Sequence, residues 1–328
     1  MTSPASMLLT SDLLQVIDLS ATEITQLFGI ASRLKTDYRP FAGSLAQRSL
    51  VMLFEKPSLR TRVSFELGFQ KLGGGVVFLD HQSSPIGGRE TVEDYAHNLS
   101  RWADVIAIRC RSHELLARFA AASSVPVINA LSDLHHPCQA LADIFTLVES
   151  GIRPEELHLA WVGDGNNVCL SLIEAVATLG GRMTVITPTA CRPAADALRI
   201  ADARAFRSGA RIVCTDDLAA VAGADAIYTD VWVSMGEESR AAEKTAMLTP
   251  YRVDAALMRR AGAKTRFMHC LPAKRGEEVA AEVIDSPASI VFDQAENRMH
   301  IQNALMLALL RSDLAPQDRP APSVAAHP

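Results

Sequence analysis

Short apolar runs alternate along this chain with segments whose apolar residues recur every three or four positions. The runs at residues 49–54, 76–79, 105–108 and 127–129 read as buried strands. Between them, residues 61–72, 91–102 and 114–121 carry helical spacing; Phe65, Phe69 and Leu72, for example, fall on one face. Upstream, Ser20-Ala-Thr-Glu23 has the form of a capping box that opens a helix reaching about Lys35. Residues 136–149 form another helical segment, closed by the break at Ser150-Gly151. A second alternating series follows, with strands at 158–162, 184–186, 211–214, 226–229 and 267–269 and helices between them. Residues 289–292 form one more candidate strand, and residues 297–310 a long apolar closing helix.

Strands that alternate with helices imply parallel sheets covered on both faces. The expected fold class is α/β, with two doubly wound parallel-sheet domains joined by helices near residues 146–156. The boundaries fall at 1–148 and 149–296. The closing helix, 297–312, is expected to pack back on the first domain, and the Pro- and Ala-rich stretch 313–328 to stay unfolded. No repeat of solenoid length occurs.

Composition narrows the function classes. The net charge of −5 offers no basic field for nucleic acid or an anionic membrane, so an anionic substrate needs a local basic pocket. No run of about 18 apolar residues suggests a spanning helix. The N-terminus lacks the basic and apolar regions of a signal peptide. Six cysteines, at 110, 138, 169, 191, 214 and 270, form neither a C-x-x-C pair nor a disulfide framework, which fits a reducing cytoplasm and no zinc site.

In open parallel sheets, ligands bind beyond the carboxyl ends of the strands, and the chemically informative residues of this chain follow its strands. Glu55-Lys-Pro-Ser-Leu-Arg-Thr-Arg62 leaves a strand and opens a helix. Free N–H groups at a helix start favour phosphate, Ser58 and Thr61 add hydroxyls, and Arg60 adds a planar fork. The same residues read equally well as an N-cap with solvated arginines. Arg109 ends the strand at 105–108, and by itself it reads better as a surface cation than as a ligand. His136-Pro-Cys-Gln139 places an imidazole and an amide at the next helix start, where a histidine commonly serves as a cap or a core residue. Gly163-Asp-Gly-Asn-Asn167 looks like a dinucleotide fingerprint, but Val168 stands in place of its last glycine and no acid closes the next strand. An NAD-dependent dehydrogenase is therefore the weaker alternative. Asp230-Val-Trp-Val-Ser-Met-Gly236 offers a carboxylate for an ammonium group, and His269-Cys-Leu-Pro272 a thiol that is either buried hydrophobe or substrate contact.

Together, Ser-x-Arg-Thr-Arg at 58–62, His-Pro-x-Gln at 136–139, Asp-x-x-x-Ser-Met-Gly at 230–236 and His-Cys-Leu-Pro at 269–272 resemble the aspartate/ornithine carbamoyltransferase family. The resemblance runs from about Leu13 to Leu310. It implies that carbamoyl phosphate sits on Ser58, Leu59, Arg60 and Thr61, with Arg109, His136, Gln139, Cys270, Leu271 and Arg298 around it. It implies that L-ornithine is held by Asn167, Asp230, Ser234 and Met235, and that Arg109, His136, Asp230 and Cys270 carry the catalysis. The products are citrulline and phosphate. The resemblance further implies no cofactor, metal, nucleic acid or membrane, and subunits assembled as a homotrimer or a multiple of trimers. Ornithine leads putrescine and N-acetylornithine as acceptor because of the Ser-Met-Gly segment. An aspartate acceptor would want cations where this chain has Asp230, Asn167 and a thiol.

Two positions depart from the family pattern. Leu59 replaces the usual threonine, which removes one phosphate hydroxyl but keeps the backbone N–H. Pro85 stands where relatives often place Gln or His to reach the neighbouring subunit, and its side chain has no hydrogen to donate.

Overall fold

A computed structural model describes residue 8, residues 10–233 and residues 238–310. The tail assigned to 313–328 and the end of the closing helix at 311–312 lie outside the described residues.

Helix α1 (Ala21–Thr36) starts at the expected capping box: the Ser20 hydroxyl accepts from Glu23 N–H and the Glu23 carboxylate accepts from Ser20 N–H. The first sheet holds β1 (Ser49–Phe54), β2 (Gly75–Asp80), β3 (Val105–Arg109) and β4 (Val127–Leu131), all parallel, in the order β2-β1-β3-β4. Helices α2 (Leu59–Lys71), α3 (Val92–Leu99) and α4 (His113–Ala122) form the crossovers, and α5 (Pro137–Glu149) leads out of the sheet. The second sheet holds β5 (His158–Val162), β6 (Arg182–Ile186), β7 (Arg211–Thr215), β8 (Ala226–Tyr228) and β9 (Arg266–Met268), parallel in the order β7-β6-β5-β8-β9. Its helices are α6 (Asn167–Leu179), α7 (Ala195–Ser208), α8 (Ala241–Leu248), α9 (Ala255–Ala261) and the short α10 (Ala281–Ile284). Helix α11 (Val291–Leu310) returns to pack on α1, α2 and α5. The expected α/β class with two parallel sheets therefore holds.

Two readings needed correction. Residues 289–292 are not a strand: Ser289 makes one isolated bridge to Phe267, and Val291 already begins α11. An apolar run this short fits strand or helix equally by periodicity, and the Gln294 N–H bond to the Ile290 carbonyl settles it as helix. The closing helix thus starts earlier than expected. The strand read as buried at 76–79 is instead an edge strand, with Val77 half exposed, because β2 has a partner on one side only.

The largest apolar cluster runs through both sheets. Leu50 and Met52 of β1, Phe145 of α5, Trp161 of β5 and Leu305 of α11 all belong to it. Helix α11 approaches α2 closely because Gly68 leaves room: a Cβ there would run into the side-chain amide of buried Asn303. Gly68→Ala is expected to lower stability by roughly 1–3 kcal/mol through overpacking. Denaturant melts of the two proteins check this; an unchanged midpoint would mean that the amide moves aside at no cost.

Candidate active site

Strand direction fixes where the chemistry gathers. All nine strands among the described residues are parallel to their neighbours, so in each sheet the carboxyl ends lie on one edge, and the expected residues follow those ends. They line one crevice of about 820 Å³. Ser58, Leu59, Arg60 and Thr61 follow β1, Arg109 ends β3, and His136 and Gln139 open α5 after β4. Asn167 follows β5, Asp230 follows β8, Cys270 and Leu271 follow β9, and Arg298 reaches in from α11. Ser234 and Met235 lie outside the described residues.

The first-sheet side is a nest of buried cations. Ser58 is indeed the N-cap of α2, accepting from Thr61 N–H at 3.3 Å, yet it also faces the crevice. Arg298 Nη2 donates to Thr61 Oγ1 at 2.7 Å, which leaves the Thr61 hydroxyl proton to donate elsewhere. Arg298 Nη1 donates to Gln139 Oε1 at 2.6 Å. Arg109 Nε, Arg298 Nε and His136 Nδ1 are buried without a hydrogen-bond partner. Buried polar groups are normally paired, so this concentration of unpaired nitrogens marks a place built for an anion. Burial, with Arg298 nearby, brings Arg109 down to about 10. Burial, then Arg298 and Arg109, hold the His136 imidazole well below its ordinary range, so it is neutral at physiological pH. His136 occupies the N-cap position of α5 but makes no side-chain cap bond, which removes the capping alternative. Arg62 points elsewhere: its guanidinium lies 3.7 Å from the centre of the Phe78 ring and pairs with Glu66.

The second-sheet side presents an acid. Asp230 is buried, and its Oδ1 accepts from the Cys270 thiol at 2.9 Å while its Oδ2 accepts from Asn166 Nδ2 at 2.7 Å. Burial and the adjacent Asp230 push the Cys270 thiol well up, so it is a protonated donor and not a thiolate. Asn167 donates from Nδ2 to the Ser132 carbonyl at 2.7 Å, across to the loop after β4. Asn166 was missed in the sequence. Its signal was its place just before α6, where it caps Val168 and Cys169 and so aims its amide at Asp230. Asp143, Tyr228 and Gln294, which support Gln139 from behind, left no local signal at all.

Asp230, His269 and Cys270 offer three metal-type ligand atoms within 4.8 Å of one another. Both ring nitrogens of His269 are already engaged, Nδ1 accepting from Leu271 N–H at 2.8 Å and Nε2 facing Glu278 at 3.2 Å. The set therefore fits a loop brace better than a cation site. The glycine turn after β5 fits a dinucleotide poorly. A Cβ on Gly165 would meet the Cys191 carbonyl at 2.6 Å, so this glycine serves packing against residues 191–193 and not approach to a pyrophosphate.

A family model described as the aspartate/ornithine carbamoyltransferase carbamoyl-P binding domain matches residues 11–149. A second, the Asp/Orn binding domain of the same family, matches residues 155–309. The chain belongs to the aspartate/ornithine carbamoyltransferase family. Among curated relatives, an ornithine carbamoyltransferase of Shewanella oneidensis is 48% identical over 296 residues, covering 90% of this chain and 98% of the relative. One from Chromobacterium violaceum is 49% identical over 302 residues, covering 90% and 96%. The solved ornithine carbamoyltransferase of Pyrococcus furiosus superimposes with a TM-score of 0.87 at 42% identity, covering 93% of this chain and 97% of that one. The anabolic enzyme of Campylobacter jejuni gives a TM-score of 0.87 at 35% identity, covering 92% and 99%. Arg109 and His136 fall in the stretch matched by the carbamoyl-P binding model, and Asp230 and Arg298 in the Asp/Orn binding stretch.

Carrying a neutral imidazole in this carbamoyltransferase crevice has a cost at acid pH. The unfolded chain protonates His136 near pH 6.5, whereas the native chain holds its pKa well below that. The depressed value costs nothing above about pH 6.5, where both states are neutral, and destabilises the native chain as pH falls below it, by up to ~1.4 kcal/mol per pH unit. His136→Gln is expected to flatten this part of the profile. Urea denaturation between pH 5 and pH 7.5 checks it; identical slopes would place the acid sensitivity in other groups.

Proposed function

We propose that this chain is an ornithine carbamoyltransferase, which moves the carbamoyl group of carbamoyl phosphate to the side-chain amine of L-ornithine and releases L-citrulline and phosphate. The observation that carries this reading is the pairing in one crevice of unpartnered buried Arg109, Arg298 and His136 nitrogens with a pinned Asp230 carboxylate. The first set suits an anion with a polarisable carbonyl, and the second suits an amino acid with two amines.

The phosphate rests on the start of α2, at the N–H groups and hydroxyls of Ser58–Thr61, with Arg60 and Arg109 as cations. Leu59 supplies its N–H; its side chain is 73% exposed and contributes no hydroxyl. The carbonyl oxygen takes hydrogen bonds from Thr61, Arg109 and His136, donors already in place before charge develops. The carbamoyl N–H groups donate to Gln139 and to backbone carbonyls near Cys270 and Leu271, and Arg298 closes the pocket. Asp230 pairs with the α-ammonium, beside Ser234, and Asn167 and the Met235 backbone take the carboxylate. Once its side-chain ammonium has lost a proton, the ornithine amine attacks the carbamoyl carbon, with Cys270 and Asp230 orienting it. A C–N bond forms, the C–O bond to phosphate breaks, and phosphate leaves with the proton that the attacking nitrogen sheds. Orientation and charge stabilisation carry the rate, without a covalent enzyme intermediate.

The two halves divide as 1–148, with 297–312, for carbamoyl phosphate, and 149–296 for ornithine. The reaction suits a step of arginine biosynthesis in the cytoplasm. The subunits assemble as a homotrimer or a multiple of trimers; an apolar stripe on α2, where Leu59, Val63 and Leu67 recur every four residues and are each more than 40% exposed, suits a contact between subunits. A panel of acceptors assayed with carbamoyl phosphate tests the central claim. Citrulline from L-ornithine is expected, with putrescine, N-acetylornithine and aspartate inert. Faster carbamoylation of any of those three would reassign the acceptor.

A further inference from the structure

Behind Gln139 lies a buried polar network that the transfer chemistry does not use. Asp143 follows Gln139 by one helical turn on α5 and is wholly buried. Its Oδ1 accepts from Gln139 Nε2 at 2.7 Å and from Gln294 Nε2 at 2.7 Å. Its Oδ2 accepts from the Tyr228 hydroxyl at 3.0 Å. On the other side of the same amide, Arg298 Nη1 donates to Gln139 Oε1.

A guanidinium has only donors and a carboxylate only acceptors. Between them the Gln139 amide has one stable orientation. Turned over, it would set its NH₂ against Arg298 and its oxygen against Asp143, losing two charge-assisted bonds and gaining two repulsions. The same logic holds Gln294, whose oxygen accepts from His269 N–H at 3.1 Å while its NH₂ faces Asp143. Gln139 lines the crevice, and its oxygen keeps one lone pair after Arg298 has used the other. An ionised carboxylate in a dry place is costly, and burial pushes Asp143 up to about 7 even with three donors around it. An apolar residue would fill the space without that penalty, but it would leave Arg298 alone to orient the amide and its NH₂ without an acceptor.

We infer that Asp143 is a positioning residue that locks Gln139 with its oxygen toward the crevice, and so selects a carbamoyl group, which carries N–H donors, over acyl phosphates that carry none. The inference rests on the proposed binding of carbamoyl phosphate. Its test compares two nearly isosteric ligands, carbamoyl phosphate and acetyl phosphate, in which a methyl group replaces the NH₂.

Calorimetric titration of the full chain gives a Kd for each ligand. In the native protein carbamoyl phosphate binds tighter, and Gln139→Leu removes that preference. Asp143→Ala is expected to cut the preference at least about tenfold, the worth of a hydrogen bond to a misaligned buried amide, while acetyl phosphate binds within about threefold of native. Asp143→Asn, whose oxygen still accepts from Gln139, is expected to keep most of the preference. If the alanine variant does not fold, Asp143→Ser is read in its place, because its hydroxyl tolerates either end of the amide. Equal weakening of both ligands would reduce Asp143 to a structural part, and an unchanged ratio would overturn the lock outright. Failure of the native protein to bind carbamoyl phosphate would instead overturn the reading of the site.

Discussion

Replacing Arg109 with methionine is expected to lower kcat/KM for carbamoyl phosphate by about three to four orders of magnitude. One lost donor to a developing oxyanion is worth roughly 10²–10³, and a charge-assisted phosphate contact adds about 1.5–3 kcal/mol. Folding is expected not to suffer. Arg109 is buried with an unpaired Nε, and burial first, then the charge of Arg298, lower its pKa to about 10. Removing one of two mutually repelling buried cations relieves the empty site, so the thermal midpoint should stay level or rise. Citrulline assays beside thermal melts check both halves. A variant that keeps more than a tenth of native activity would take Arg109 out of the reaction, and one that unfolds would make its role structural.

The second large effect concerns Asp230. Asp230→Asn is expected to reduce kcat/KM for ornithine by roughly two to three orders of magnitude, as losing one partner of a desolvated charge pair costs about 2–5 kcal/mol. Carbamoyl phosphate should bind within about threefold of native, since its cations come from other elements. The substitution also places an NH₂ among groups that all donate to the present carboxylate: Asn166 Nδ2, the Cys270 thiol and the Val231 N–H. Steady-state kinetics with ornithine varied, and calorimetry with carbamoyl phosphate alone, separate the two. Equal losses in both measurements would mean that the two sides of the crevice do not divide the substrates in this way.

These predictions rest on residues whose legibility in the sequence differed. Ser58, Arg109, His136, Asp230 and Cys270 could be picked out because each lies at or soon after the carboxyl end of a strand, where parallel sheets put ligands. Asn166 carried a readable cap signal, but a cap signal alone does not point to a carboxylate 64 residues away. Asp143 and Tyr228 were illegible, being an acid inside an apolar helix and an aromatic inside a strand. Residues 289–292 misread as a strand because four apolar-rich positions do not fix a period. The strand at 76–79 misread as buried because a strand's position in a sheet is not a local property.

By itself, the sequence determined the order of strands and helices up to residue 288, the parallel α/β class and most of the chemical inventory of the crevice. Each depends on patterns two to four residues long: the strand period, the helix period, a cap, a motif at a strand end. Tertiary structure decided which strand lies at an edge, how early α11 begins and which way the Gln139 amide faces. The partners concerned stand 85, 151 and 159 residues apart, in the pairs Tyr228–Asp143, Gln294–Asp143 and Arg298–Gln139. No local rule reaches that far. Two of the three meetings are set by how α11 packs across α5 and the third brings β8 against α5, and in that buried space every donor must find an acceptor, which leaves the amide a single orientation.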